Sequence, residues 1–543
     1  MQCRYEDISE AYLRTFEWIF EDDLDKACQN YTTWLRNERG LYWIQGKAAS
    51  GKSTLMRFIS EDNRSVEYLQ TWSAQKSLEV AKFYFWNGGV VEQRSQTGLF
   101  RTLLHTIFSR NRSLIRKAFP SEWEEIYNDG HRELGYLQSL SLSRLRNGFL
   151  NLVNHARSNF HICFFVDGLD EFSGDHAELA TFFRDISSTN DHIKFCLSSR
   201  PWPVFDDIFE HMPRLQLQDL THNDIKLYVE DHLGNNKRML ELQEEDPVNA
   251  SRLINEIVEK ARGVFLWVKL VVQSLMAGLR NCDDVSRLRK RLAELPADLE
   301  TLYSLMLNSV DKFYQRDAST MFQVVRVSLS CPMEDDGWVP FGIPDLDRAL
   351  TADYKTTISS EIKQVNESMA ELLKRYKRYE KLETSMKSCC MGLLEVHPFA
   401  KAAAAKGFID MQFPPISYMH RTVKDYIERP EIWKKLLAHT AGTQPEPKLG
   451  VLIGIVMELK VNTDHLTLYR LANYAIDIAQ QFDQTTKNFQ IGLLEEFDRV
   501  MSYHWPERPA KDNVLKRRTW TSQISLDHRR MNDIDPDPKL SQK

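Results

Sequence analysis

No segment of this 543-residue chain is built to leave water. The longest apolar run, Gly263 to Leu279, is short for a bilayer span and carries Lys269, so it reads as a buried core helix. That argues against a transporter. The opening residues, Met1-Gln2-Cys3-Arg4-Tyr5-Glu6, include no apolar leader, and a cytoplasmic location is expected. Cysteine is sparse and unpatterned. None of the eight forms a C-x-x-C pair, and the adjacent Cys389-Cys390 makes a poor zinc site. Cys163 and Cys196 sit in apolar runs and read as buried thiols, so a reducing interior is expected. Positive charge is not in excess: 70 basic against 76 acidic residues leave a net charge of −6, so nucleic acid is not an expected partner. An N-K-x-D guanine reader is missing, since Asn236-Lys237-Arg238-Met239 breaks the pattern. No motif marks the acceptor pocket of a small-molecule kinase. No repeat of 30 to 45 residues follows position 430, so repeat-built sensor domains are not expected there.

What is present is a globular composition, 42% hydrophobic and 27% charged, in a chain long enough for three or four domains. One octapeptide stands out: Gly46-Lys47-Ala48-Ala49-Ser50-Gly51-Lys52-Ser53. It fits G-x-x-x-x-G-K-[ST], a loop whose amides cradle phosphates. A chain of this length would contain that pattern by chance only about 0.02 times. The apolar run Gly40 to Gln45 precedes it and reads as a strand. Ser53-Thr54-Leu55-Met56-Arg57-Phe58-Ile59 follows with helical apolar spacing. Strand, loop and helix are the context the pattern needs. Glycines let the backbone curl, and Lys52 reaches the β- and γ-phosphates. Ser53 holds Mg²⁺, and the helix start adds its dipole. Residues 46 to 54, ending at Thr54, form the expected phosphate cradle.

A second motif supplies acid groups. Phe160 to Val166 is an apolar run that ends in Asp167, followed by Gly168-Leu169-Asp170-Glu171. A buried parallel strand delivers its last carboxylate to the sheet edge where ligands bind. Asp167 is therefore expected to orient Mg²⁺, and Asp170 or Glu171 to polarise an attacking water. Further runs read as strands: Val80 to Trp86, Ile193 to Leu197 and Leu215 to Leu217. Helical spacing fills the gaps, as at Thr97 to Phe108. Alternation of this kind predicts a parallel α/β sheet flanked by helices. Arg200, after Ser198-Ser199, would stand on the same edge and either read the γ-phosphate or form an ordinary loop salt bridge.

Five stretches, in order, resemble NACHT-type NTPases of the STAND class, in particular the nephrocystin-like proteins of filamentous fungi. They are Leu41 to Thr54, Phe164 to Glu171, Ser199-Arg200-Pro201, Gly263 to Val268 with Leu295-Pro296, and Ser417 to Tyr426. The likeness covers most of residues 1–430. It implies an ATP/ADP-operated switch that holds ADP when closed, exchanges it for ATP, hydrolyses slowly and oligomerises with protein partners to signal. In fungi it implies a part in self/non-self recognition or cell death. It also implies that His420, where a strand gives way to a helix, touches the β-phosphate of ADP.

The expected organisation has six parts. Residues 1–40 are a helical linker, 41–220 the NTPase core, and 221–300 a helical domain. Residues 301–430 are a winged-helix-like domain with a long charged helix from Lys355 to Lys387. Its expected strands lie at 392–396, 408–412 and 416–419. Residues 431–505 are a C-terminal helical region and 506–543 a disordered tail. Two departures from the family bear on function. Ala48-Ala49 stands where relatives often carry Pro-Gly, and alanine resists the positive φ that glycine accepts. The sequence also starts almost at the NTPase module, so an N-terminal effector domain is not expected. The alternative reading is therefore a nucleotide-binding scaffold that does not hydrolyse.

Overall fold

The computed structural model describes residues 15–21, 31–37, 39–74, 76–86, 91–128, 140–329, 341–362, 369–396, 416–442, 446–461, 465–480 and 487–504. The chain divides into two units, Met1–Ser304 and Leu305–Lys543.

The first unit is built on a five-stranded parallel sheet. Its strands are β1 (Gly40–Gln45), β2 (Ser77–Tyr84), β3 (Phe160–Asp167), β4 (Ile193–Ser199) and β5 (Arg214–Gln216), in the order β2-β3-β4-β1-β5. The apolar runs seen in the sequence become strands buried on both faces, as parallel sheets require. Side chains alternate between two layers. Leu41, Trp43, Phe164, Phe195 and Leu197 enter one layer, with Leu99 and Leu103 of the helix Gln96–Arg110, Phe149 of Leu142–Ala156 and Phe183 of His176–Thr189. Tyr42, Ile44, Phe165 and Cys196 enter the other, with Trp34 of α1 (Tyr31–Arg36), Leu55, Met56 and Ile59 of α2 (Lys52–Glu61) and Leu69 of α3 (Asn63–Ser73). Cys163 and Cys196 are fully buried free thiols, and burial pushes Cys163 up to about 12.

The strand order sets the site. β4 lies between β1, which leads into the phosphate loop, and β3, which ends in Asp167. The chain leaves β1 for the far edge of the sheet at β2, so the carboxyl ends open a crevice at this switch in direction.

One cation sits inside the second layer. Lys194 on β4 is fully buried, and its Nζ donates to Trp34 O at 2.5 Å and Leu35 O at 2.7 Å. These carbonyls end α1, where the helix dipole favours positive charge. The Trp72 ring lies 4.3 Å from Nζ. Residues 15–20 and α1 thus pack into the layer beside the sheet. The rest of this unit is helical: His222–Val229, Lys237–Glu245, Pro247–Ala261, Phe265–Arg280 and Val285–Glu294. Trp267 Nε1 donates to Pro296 O at 2.7 Å, which ties Leu295-Pro296 to its helix.

The second unit contains the helices Gln315–Leu329, Ile343–Thr351, Met369–Cys389, Arg421–Ile427, Pro430–His439, Pro447–Val461, His465–Gln480 and Lys487–His504. β6 (Leu394–Val396) and β7 (Ile416–Tyr418) pair antiparallel. The single long helix expected from Lys355 to Lys387 is not formed. A short helix, Tyr354–Ser359, ends at Ser360, and the charged helix starts at Met369. The first is capped separately by Asp353, which accepts from Thr356 N at 2.9 Å. The expected strand at 408–412 and the tail from 506 lie outside the described residues. Helix Pro447–Val461 crosses Ile343–Thr351 closely at Gly450 and Gly454; a Cβ on Gly450 would meet Ala349 O at 2.6 Å. The buried pair Lys460–Glu496, 2.5 Å apart, joins it to Lys487–His504.

Candidate functional site: a phosphate loop braced by the end of a strand

The loop leaves β1 with Gly46 N donating to Ser199 O at 3.3 Å, then turns through Ser50 N to Lys47 O at 3.3 Å. Gly51 caps α2 with φ 96°, a conformation natural to glycine alone. Ala49 adopts φ 61°, at a cost of about 1–2 kcal/mol for a residue with a Cβ. The chain thus takes the left-handed turn despite the alanine, and something must hold it there.

The helical part of the same unit does so. Leu266 N donates to Ala49 O at 3.3 Å, and Lys47 Nζ to Arg262 O at 3.3 Å. Helix Phe265–Arg280 begins at Val264, which offers no side-chain cap. The phosphate loop supplies one of the acceptors that the first turn of a helix lacks. Arg262 and Gly263 precede it with φ 47° and 76°, and a Cβ on Gly263 would strike Gln218 O at 2.4 Å. On the N-terminal side, Asp224 accepts from Phe16 N at 3.2 Å and Trp18 Nε1 at 2.8 Å. The Phe16 ring comes within 3.4 Å of where a Cβ on Gly51 would lie. Burial raises the Asp224 carboxyl above its usual range, against the pull of those two donors.

Lys52 curls back on its own loop, donating to Gly46 O at 2.6 Å and Lys47 O at 2.8 Å. Burial lowers its ammonium to about 8, although Asp170 and Asp167 nearby favour the charge.

The acids stand on the next strand but one. Asp167 is buried, and its Oδ1 accepts from Ser198 Oγ. Gly168 then turns with φ 75°, donating its N–H to Ser198 Oγ at 3.0 Å. The following turn, Leu169–Glu171, closes with Glu171 N on Gly168 O at 2.7 Å. Asp170 is buried and engaged with Arg200 twice: Arg200 N donates to Oδ1 at 3.0 Å, and Arg200 Nε lies 3.1 Å from Oδ2. Of the two readings of Arg200, the salt bridge is the one formed. The pairing engages both oxygens of Asp170. Ser199 completes the brace, its Oγ accepting from Trp43 Nε1 at 2.9 Å.

The loop fits a phosphate ligand. Ser50 Oγ and Gln45 Nε2 are buried and have no partner among the described residues. A Cβ on Gly46 would lie 2.7 Å from Ser50 Oγ, so a larger residue there would have to push that hydroxyl aside. An unmet buried hydroxyl costs about 1–3 kcal/mol, and a phosphate oxygen would satisfy it. Ser53, in the first turn of α2, and Asp167 are of the type that holds Mg²⁺, which takes few protein oxygens and completes its shell with water and phosphates.

Sequence reading therefore placed Gly46 to Thr54, Asp167, Asp170, Glu171 and Arg200 at the carboxyl edge of one sheet. His420 belongs to the second unit. It caps helix Arg421–Ile427, its Nδ1 accepting from Thr422 N at 3.1 Å and lying 2.9 Å from Thr422 Oγ1. Ser198, Ser199, Asp224, Phe16 and Leu266 were missed. Ser198-Ser199 flanked a residue already singled out, and strand order alone would have put them beside Asp167 and Gly46. The others carry no local signal.

A parallel sheet with this loop at one strand end and an acid at another defines a P-loop NTPase. Residues 14–200 match the family described as Nephrocystin 3, N-terminal, and residues 309–464 match a domain of unknown function, DUF7791. The vegetative incompatibility protein HET-E-1 of Podospora anserina is 25% identical over 302 residues, 54% of this chain and 20% of that protein. The chain thus spans about a fifth of the length of the curated relative it matches. Among solved structures, the Walker-type ATPase PABY2304 of Pyrococcus abyssi aligns over 72% of this chain and 91% of its own, at 12% identity and TM-score 0.27. The Aeropyrum pernix Orc1 protein, solved with DNA, aligns over 73% and 88%, at 10% and 0.28. Those superpositions are too loose to place residues. The motif resemblance is matched over residues 14–200, where the chain is similar to the nephrocystin-like N-terminal domain and carries a nucleotide-binding P-loop. Among the described residues, no helix is long and apolar enough to cross a membrane.

Proposed function

We propose that the chain is an ATP/ADP-operated switch with slow, Mg²⁺-dependent hydrolysis. The observation that carries this reading is the direct bonding of the phosphate loop to the helical part of its own unit, at Ala49–Leu266 and Lys47–Arg262. A loop that only bound nucleotide would need no such bonds. A loop whose conformation is shared with a helix start passes a change in ligand on to that helix. Lys52 must leave Gly46 O and Lys47 O to meet phosphates, and Lys47 and Ala49 lie in the same loop. Mg²⁺, when bound with the nucleotide, would neutralise charge on the β- and γ-phosphates. Asp167 and Ser53 are its holders, and Glu171 is the carboxylate for the attacking water. Arg200 keeps Asp170 and the Glu171 turn in place.

His420 is the nucleotide sensor that the family likeness assigns. Its Nδ1 accepts from Thr422 N at the start of its own helix. The antiparallel pair β6–β7 before that helix supports a winged-helix reading of this part. The relative's name, a vegetative incompatibility protein, is in keeping with a role in fungal incompatibility; cytoplasmic protein partners and self-association are part of the same proposal.

The alternative is a scaffold that binds without hydrolysing. It draws on the Asp170–Arg200 pairing, which engages one of the two carboxylates that were candidates for polarising the water. Denaturing the purified chain and identifying what is released tests the switch. Stoichiometric ADP is the expected result. A chain that is empty, and stays empty with Mg·ATP, overturns it.

A further inference from the structure

We infer that Ser198 is the positioning residue for Asp167, and through it sets how tightly the nucleotide site holds its metal ion. The inference rests on the nucleotide-binding reading above and adds a residue to it.

Ser198 is fully buried on β4, the strand inserted between the two motif-bearing strands. Its hydroxyl has one donor and two lone pairs. Gly168 N–H occupies a lone pair at 3.0 Å. The hydroxyl proton goes to Asp167 Oδ1. One oxygen therefore joins the metal-orienting acid to the first residue of the turn that carries Asp170 and Glu171. The two bonds fix different things. The bond to Oδ1 fixes the rotation of the carboxylate about its Cβ–Cγ axis, which an isolated aspartate leaves broad. The bond from Gly168 fixes the hydroxyl itself, so its proton has one good acceptor. Partners that orient a metal ligand change metal affinity about 10–100-fold when removed.

The neighbours show that this is a brace and not a lone contact. Ser199 O receives Gly46 N–H, Ser199 Oγ receives Trp43 Nε1–H, and Arg200 holds Asp170. Three consecutive residues at the end of β4 and just past it thus tie the phosphate loop, the metal acid and the carboxylate turn to one another. Ser198 is the member of that tripeptide that touches Asp167.

The test titrates Mn²⁺, followed by electron paramagnetic resonance, into full-length chain loaded with ADP, for wild type, Ser198→Ala and Ser198→Thr. Affinity for a fluorescent ADP analogue is measured in parallel in EDTA. Ser198→Ala should bind the analogue in EDTA within about twofold of wild type and need about tenfold more Mn²⁺ for half-saturation. Ser198→Thr, which keeps the hydroxyl, should recover most of that loss. A Ser198→Ala protein with a lower melting temperature and an unchanged Mn²⁺ midpoint would mean the hydroxyl only satisfies Gly168, and overturns the proposal. So would a Thr variant as impaired as Ala. If wild type takes no ADP with or without metal, the nucleotide reading itself has failed.

Discussion

The carbonyl of Ala49 accepts a hydrogen bond from the amide of Leu266, 217 positions along the chain and 3.3 Å away. A strained residue in the phosphate loop and an uncapped helix start are each other's remedy. Ala49 is held at φ 61°, and helix Phe265–Arg280 gains an acceptor that Val264 cannot supply. The bond offsets part of the strain at one end and part of the missing cap at the other.

That linkage can be loosened at the helix end. Serine at position 264 would give the helix its own cap, worth about 1 kcal/mol, and compete with Ala49 O for the first-turn amides. Val264→Ser should leave the melting temperature within a few degrees of wild type and speed release of a fluorescent ADP analogue severalfold. Stopped-flow displacement measures this. An unaltered release rate would mean the bond carries no coupling. In the opposite sense, Ala49→Gly removes the left-handed strain and should stabilise the free protein by roughly 0.5–1 kcal/mol in urea titrations.

Lys52 makes the site sensitive to alkali. Its folded value, about 8, lies below its ordinary 10.5 because of burial. Between those values the unfolded chain binds more protons at this position than the folded chain. Stability of the ligand-free protein should therefore rise with pH across about 8 to 10.5. Phosphates reverse the preference, since they need the ammonium. ADP affinity should fall as pH rises past about 8, approaching tenfold per unit at most. Binding above that pH should take up protons, visible as a dependence of calorimetric heat on buffer. Lys52→Met should abolish both effects.

A third test concerns the second unit. Replacing glycine by alanine inside an exposed helix normally stabilises it by about 0.5–1 kcal/mol. At Gly450 the sign should reverse. The new methyl would lie 2.6 Å from a backbone oxygen, Ala349 O, which no side-chain rotation can relieve. Gly450→Ala should destabilise by about 1–3 kcal/mol, as overpacking does. Thermal denaturation followed by circular dichroism measures it.

The outline of the nucleotide site was legible because its parts are local. Gly46 to Ser53 is a contiguous pattern, and the run into Asp167 is a buried strand with an acid at its end. The structure forms β1 and β3 over the strand runs at those motifs, Gly40–Gln45 and Phe160–Asp167. What could not be read were pairings fixed by strand order and domain packing. Ser198 matters because β4 falls between β1 and β3, and nothing in Ile193 to Ser199 says so. Leu266 and Asp224 act on residues about 200 positions away, and their neighbours in sequence give no hint. The Lys355 to Lys387 helix was misjudged because a charged run hides its breaks. Asp353 caps a short helix there that stops at Ser360.

The adjacent acids Asp170 and Glu171, indistinguishable in the sequence, should separate by mutation. Asp170 spends both oxygens on Arg200, one on its backbone amide and one on its guanidinium. Removing that charge leaves Arg200 unpaired and loosens the turn that carries Glu171. Asp170→Asn should therefore lower stability as well as turnover, and Arg200→Ala should resemble it. Glu171 closes the same turn through its backbone, so its side chain can change while the turn stays. Glu171→Gln should bind ADP and ATP like wild type, melt like wild type, and hydrolyse about 10²–10³-fold more slowly, the range of a lost general base. Single-turnover hydrolysis beside nucleotide affinity and melting temperature separates the cases. If Glu171→Gln and wild type turn over at the same rate, the water is not polarised by Glu171. With Asp170 committed to Arg200, the binding-only scaffold becomes the better reading of this site.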